Sequence, residues 1–213
     1  MNSHLQKLFS QAYVLGGSPC SGKSTIAEML VAEYGFQYYK ADDHDPEHMQ
    51  RSQPAQQPVM FKVSRMSWDE IWSRPPLELL KDELTFYHEN FSFILEDLSQ
   101  LESNHPWILE GAALLPELVN QHPIKHSNAI YMVPTIEFQL HYYSQRPWIQ
   151  GILKECRDPQ QAFDNWMRRD ALFSQEVIRQ TEMSGFRTIL VDGSVDIQTQ
   201  FQAIQKQFRL GDN

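Results

Sequence analysis

Residues 17–24 read Gly-Ser-Pro-Cys-Ser-Gly-Lys-Ser, and this octet constrains the fold more than any other stretch of the chain. Gly17, Gly22, Lys23 and Ser24 occupy every fixed position of the phosphate-binding loop pattern G-x-x-x-x-G-K-[ST]. The octet follows a short apolar run, Ala12 to Leu15, and opens a helical pattern from about Lys23 to Tyr34. Strand, loop and helix in that order are what such a loop needs. Glycines let the backbone curl so that successive N–H groups converge on a phosphate, and the helix N-terminus adds positive potential. Gly17, Ser18, Pro19, Cys20, Ser21, Gly22, Lys23, Ser24 and Thr25 are therefore expected to cradle a nucleotide. Lys23 would reach the β- and γ-phosphates, and Ser24 would offer its hydroxyl to Mg²⁺. Cys20 reads as a small filler at a variable position or, less simply, as an oxidisable thiol.

The rest of the chain repeats the strand–helix alternation. Phe36 to Lys40, Trp107 to Leu109, Ala129 to Val133 and Thr188 to Val191 read as four further strands, with helical patterns between them. Five strands joined by helical crossovers predict an α/β fold: a doubly wound parallel sheet with helices on both faces. With 213 residues, one domain spanning 1–213 is the default. After Pro75-Pro76, residues Leu77, Leu80, Leu84, Tyr87, Phe91, Ile94, Leu98 and Leu101 recur every three or four positions, the pattern of a long core-facing helix. Ile197, Phe201, Ile204 and Phe208 mark a closing helix. Residues 41–75 and 146–170 are polar and show no sustained period.

Charge and cysteine content exclude several classes. Against 18 Lys and Arg stand 27 Asp and Glu, a net charge of −9 that disfavours nucleic-acid binding through overall charge. Two cysteines, Cys20 and Cys156, form no disulfide framework and suit a reducing, cytoplasmic setting. No run of 18 apolar residues offers a membrane span. The expected partner is a small molecule, with the protein a monomer or homodimer. His44 and His48 lie at helical spacing beside Asp43 and Asp45, but without cysteine partners or a His-Glu-x-x-His pattern a dedicated transition-metal site is disfavoured.

The loop, the five-strand alternation and the length resemble the nucleoside-monophosphate-kinase-like group of P-loop kinases, which includes adenylate, shikimate and gluconate kinases and chloramphenicol phosphotransferase. The resemblance implies sheet order 2-3-1-4-5, ATP with Mg²⁺ as cofactors, an acceptor-binding insertion at 41–106 and a mobile lid at 146–170. It also implies site residues. Asp42, just past the second strand, matches the aspartate that contacts the acceptor hydroxyl in gluconate and shikimate kinases, with Asp43 close behind. A solvated acidic turn is the plainer reading. Lys40 stands where shikimate kinase has a further aspartate. Glu110, at the end of the third strand, resembles the acidic residue that assists Mg²⁺ or the acceptor, or else it marks the strand's exit. Gly111 beside it would let a substrate approach the backbone.

Arg146, Arg168 and Arg169 resemble lid arginines that neutralise the transferred phosphate, although any one of them is as readily a surface arginine. Asp192-Gly193-Ser194 falls where this group's backbone nears the adenine, and a simple turn explains it equally well. Adenylate-type kinases hold a phosphorylated acceptor with arginines, yet Lys40 to Gln50 contains none, although Arg51, Lys62 and Arg65 follow. The resemblance thus implies an ATP-dependent small-molecule kinase acting on a hydroxyl of a metabolite or antibiotic-like acceptor. A nucleoside or nucleoside-monophosphate kinase and a regulatory ATPase or nucleotide switch are the alternatives.

Overall fold

A computed structural model describes residues 3–211 apart from residue 103. In chain order the elements are α1 (Ser3–Gln11), β1 (Tyr13–Gly17), α2 (Lys23–Tyr34), β2 (Gln37–Lys40), a 3-10 turn (Ala41–His44), α3 (Asp45–Arg51), α4 (Pro58–Val63), α5 (Trp68–Trp72) and α6 (Pro76–Gln100). There follow β3 (Trp107–Glu110), α7 (Pro116–Val119), β4 (Ala129–Pro134), α8 (Ile136–Tyr143), α9 (Pro147–Leu153), α10 (Pro159–Ser184), β5 (Arg187–Val191) and α11 (Ile197–Phe208).

All strands pair in parallel, as the strand–helix alternation predicts, in the order β2-β3-β1-β4-β5 that the resemblance implies. Side chains alternate across the sheet. Val14 and Tyr131 point to one face and pack with Phe91, Ile94, Phe173 and Val177 of α6 and α10. Leu15, Ile130 and Met132 point to the other and pack with Ile26, Leu30, Phe201 and Ile204 of α2 and α11. β1 runs two residues further than its apolar run, because Gly16 and Gly17 stay paired to Tyr131 and Met132. Gly17 has φ +113°, and a Cβ there would lie 2.2 Å from the Met132 carbonyl oxygen, so this position admits only glycine. That close approach fixes where the loop leaves the sheet.

The two polar segments are more regular than the sequence suggests. Residues 41–75 contain the 3-10 turn and three helices of five to seven residues, too short to show a hydrophobic period. α3 and α4 pack on α6, where Glu89 accepts the N–H groups of Val59 and Met60 at the start of α4, and α5 packs on α10. Within 146–170, residues 159–170 form the first half of a 26-residue helix. Pro159 sits in its first turn, and Asp158 caps it by accepting the Gln161 N–H at 3.0 Å. Ala162, Trp166, Met167 and Asp170 are buried along its inner face. In α6 the expected stripe faces the core except for Leu77, which is 69% exposed in the first turn, where Leu79 is buried instead.

Candidate active site

The C-terminal ends of β1, β2 and β3 bring the loop and the acidic residues together. The register sets Lys40 opposite Glu110 and Leu15 opposite Glu110, so residues following these strands face one another. No side chain caps the N-terminus of α2, and the N–H groups of Cys20, Ser21 and Gly22 donate to no acceptor among the described residues. A ring of unsatisfied donors at a helix N-terminus is a preformed anion cradle. Cys20 adopts φ +66°, a strained conformation for a residue with a side chain. Ser18 is held from behind, where Ser174 donates to its hydroxyl at 2.8 Å.

Lys23 is folded back into this cradle rather than facing solvent. It is 5% exposed and donates to the Ser18 carbonyl at 2.7 Å. Burial holds its pKa below the usual lysine range, opposed by the charges of Glu110 and Asp42. Ser24 and Glu110 meet, with the serine hydroxyl 3.3 Å from Glu110 Oε2 and the Tyr38 hydroxyl 3.0 Å from the same oxygen. Glu110 is 1% exposed, and burial raises its pKa against the pull of Lys23. A hydroxyl beside a carboxylate oxygen is a set of hard donors that suits Mg²⁺.

Asp42 and Asp43 separate cleanly. Asp42 Oδ1 accepts the Ala112 N–H at 3.1 Å and lies over Gly111, where an added Cβ would approach it to 2.8 Å. The Asp43 side chain is 65% exposed and pairs with Lys40 at 3.1 Å. Asp42 therefore faces the loop and Asp43 faces away.

Of the three arginines singled out from the sequence, one reaches the loop. Arg146 donates to Cys20 Sγ at 3.5 Å and lies over the Tyr143 ring. Arg168 is exposed on α10. Arg169 is enclosed, bonded to Glu83 at 2.7 Å and to Asp170 at 2.6 Å. Cys20 is half-buried, and burial pushes its thiol up, the wrong direction for a reactive thiolate.

Two clefts are relevant, the first of them bordering the loop. One, of about 450 Å³, is lined by Gly22, Thr25, Phe138, Tyr142, Gly193 and Ile197 among others. Tyr142 and Ile197 are 45% and 41% exposed there, large apolar surface at a concave site. Asp192 shapes the adjoining turn by accepting the Ser194 N–H at 2.9 Å. The other, of about 250 Å³, lies between α5, α6 and α10 and is walled by Trp68, Trp72, Phe86, Tyr87, Asp45 and Glu83. Burial and the charge of Asp42 push Asp45 up to about 7. Burial also pushes Glu83 up to about 7, opposed by Arg169 and aided by Asp170.

The sequence reading named Asp45 only beside the histidines and did not single out Glu83 or Asp170. Glu83 carried a usable signal: it sits three residues after Leu80 and four before Tyr87, a carboxylate inside the apolar stripe of α6. The histidines also find a partner the spacing did not name, since His44, His48 and Asp97 offer ligand atoms within 4.8 Å of one another. His48 is fully buried, donating from Nδ1 to Asn90 Oδ1 at 2.7 Å, with Nε2 2.9 Å from Asp97. The Asn90 amide is oriented by donating to Asp45 at 2.8 Å.

Strand order and loop are those of the P-loop kinase fold, and solved structures share it. Deoxyadenosine kinase from M. mycoides matches with a TM-score of 0.50 at 15% identity, over 93% of this chain and 99% of that one. The Thermus thermophilus protein TT1252 matches with a TM-score of 0.50 at 14% identity, over 93% and 97%. Shikimate kinase from Acinetobacter baumannii matches with a TM-score of 0.45 at 17% identity, over 95% and 93%. No protein-family model and no curated protein matches the sequence. No described helix is long and apolar enough to cross a membrane.

Proposed function

We propose that the protein is an ATP-dependent phosphotransferase that moves the γ-phosphate onto a hydroxyl of a small-molecule acceptor. The convergence of Lys23, Ser24, Asp42 and Glu110 beside an uncapped helix N-terminus carries this reading. ATP would place its phosphates on the loop N–H groups and its base in the cleft beside Phe138 and Tyr142. Mg²⁺, for which Ser24 and Glu110 provide suitable oxygens, supplies charge neutralisation when bound. Lys23 exchanges the Ser18 carbonyl for phosphate oxygens. Asp42 orients the acceptor hydroxyl and takes its proton as the oxygen bonds to phosphorus and the bond from the γ-phosphorus to the ADP oxygen breaks. Arg146 stabilises the charge spread over the transferred group.

On this reading the domain spans 1–213, residues 41–106 shape the acceptor side, and residues 146–170 close over bound nucleotide. Arg146 beside the loop and the 51% exposed Trp148 support the closure. It would exclude water and strengthen the arginine charges. Hydrogen exchange over 146–170 should slow when an ATP analogue and Mg²⁺ are added. Unchanged exchange, with full activity in Arg146→Ala, Arg168→Ala and Arg169→Ala, refutes it.

A nucleoside-monophosphate acceptor needs free arginines, and those of residues 41–75 are engaged. Arg51 is bonded to Glu96, Arg74 to Asp82, and Arg65 lies over the Phe61 ring. The deciding experiment is ADP release measured across sugars, nucleosides, nucleotides and aminoalcohols. Release confined to one acceptor class supports the kinase; release independent of acceptor favours a regulatory ATPase; absence of ATP binding refutes both.

A further inference from the structure

Resting on the phosphotransferase reading, the arrangement of charge and aromatic surface around the second cleft narrows the acceptor. We infer that this cleft takes a hydroxyl compound carrying a positively charged amine on a flat or apolar body, with Asp45 as the counter-ion of the amine.

The charges around the cleft do not balance. Asp82 is matched by Arg74 and by Lys62 at 2.8 Å. Deeper in, Glu83 and Asp170 share the single guanidinium of Arg169. Among the described residues Asp45 has no cationic partner, only the Asn90 amide at 2.8 Å. On this side of the cleft Asp45 and Glu83 thus stand against one cation, Arg169, whose charge is also taken up by the buried Asp170 behind it. A buried carboxylate without a counter-charge is costly, and a ligand ammonium removes that cost. An acceptor bearing phosphate or carboxylate would add to it.

The remaining wall suits the same ligand. Trp68, Phe86 and Tyr87 line the cleft, and aromatic faces attract ammonium groups; Trp72 lines it too, with Trp166 and the Arg169 guanidinium already against its ring. The spacing along the chain then connects recognition with chemistry. Asp42 lies in the 3-10 turn and Asp45 begins α3 immediately after it, so the two are three residues apart on one helical run and lie on the same side. Asp45 feels the charge of Asp42. An amine held at Asp45 places a hydroxyl a few bonds away beside Asp42, the connectivity of an amino alcohol. Asn90 holds Asp45 in place and is itself fixed by the buried His48.

Three probes of one shape test this: 2-amino-1-phenylethanol (cationic), 1-phenylethane-1,2-diol (neutral) and mandelate (anionic). Binding is followed by tryptophan fluorescence of the full chain loaded with a non-hydrolysable ATP analogue and Mg²⁺. The amine should bind at least tenfold more tightly than the diol, and mandelate more weakly than either. Asp45→Asn should bring amine and diol to equal affinity. A second measurement needs no variant: the N,N,N-trimethyl form of the amine, charged at every pH, should bind more weakly at pH 6 than at pH 8 as Asp45 takes up a proton, while the diol is unaffected. The groups facing Asp45 are Asp42 and Asp43 from the preceding turn and Asn90 from α6, with Glu83, Tyr87 and Arg169 across the cleft. Equal binding of amine and diol, tighter binding of mandelate, or a preference unchanged by pH overturns the inference. Phosphate transfer from ATP is scored separately. ATP binding and transfer to the diol or to mandelate, without preference for the amine, would leave the kinase standing and remove only the acceptor class.

Discussion

Replacing Gly111 by alanine tests whether the position of Asp42 matters, without touching either carboxylate. Gly111 has φ +153°, and an added Cβ would lie 2.8 Å from both Ala41 Cβ and Asp42 Oδ1. Side chains avoid that backbone conformation at a cost on the order of 1–3 kcal/mol. Restoring ordinary carbon separations of about 3.5 Å requires the Ala41–Asp42 segment to retreat by roughly 0.7 Å, which stretches the bond from the Ala112 N–H. For a partly exposed carboxylate that bond contributes about 1 kcal/mol. The total, roughly 2–4 kcal/mol, is within the ~5–15 kcal/mol by which a domain is stable, so the variant folds. At about 2–4 °C per kcal/mol for a chain of this size, Tm should fall by roughly 5–15 °C. A misplacement approaching 1 Å should lower turnover roughly tenfold to hundredfold, with ATP affinity unchanged because the loop is untouched. Differential scanning fluorimetry and a coupled ADP-release assay on one preparation measure both. Gly151→Ala is the control: nothing lies within 4 Å of its added Cβ, and it sits in α9, so Tm should hold or rise. Wild-type Tm and turnover in Gly111→Ala would refute the claim that this glycine seats Asp42.

Lys23→Ala should abolish transfer while Tm shifts by only a few degrees, since the lysine's bond to the Ser18 carbonyl is replaceable by water; preserved transfer would remove the phosphate-loop assignment. Asp42→Asn should cut turnover by roughly two to four powers of ten with ATP binding intact, whereas Asp43→Asn, on the solvent side, should leave kinetics near wild type. Arg169→Ala strands Glu83 and Asp170 in the interior and should cost about 3–5 kcal/mol; exposed Arg168→Ala should stay within about 0.5 kcal/mol; thermal melts of the pair compare them. The folded protein raises Asp45 and Glu83 to about 7, so below that value it binds more protons than the unfolded chain. Their contribution to stability is therefore fullest near pH 4 and is lost as pH rises through 7. Asp45→Asn should flatten the fall in denaturation midpoint between pH 5 and pH 8, and an undiminished slope counts against the assignment.

The loop and the sheet were legible because both are local. Fixed residues at fixed spacing define the first, and runs such as Ala129 to Val133, fully buried on both faces, define the second. Asp42 and Glu110 could be placed because strand ends in such a sheet converge. The helices of 41–75 escaped notice because helices this short are held by α6 and α10 rather than by a hydrophobic period of their own. Residues 159–170 read as too polar for a core helix because Asn165 and Asp170 occupy its inner face. Their partners, the Trp72 carbonyl at 2.9 Å and Arg169, come into view only in three dimensions. Glu83 was passed over for a similar reason: a carboxylate in an apolar stripe is explained only by its cation, Arg169, 86 residues further along the chain.

The Trp72 and Trp166 rings stack with centroids 4.0 Å apart and planes 10° from parallel. Trp72 ends α5 on the acceptor side, and Trp166 lies in the segment proposed to close over nucleotide. Asn165 bonds the Trp72 carbonyl at 2.9 Å, and Asp69 holds both the backbone and the side chain of Arg157. Closure of residues 146–170 as proposed would therefore carry the acceptor-side helix with it, and the order in which acceptor and nucleotide arrive would be a mechanical property of that joint.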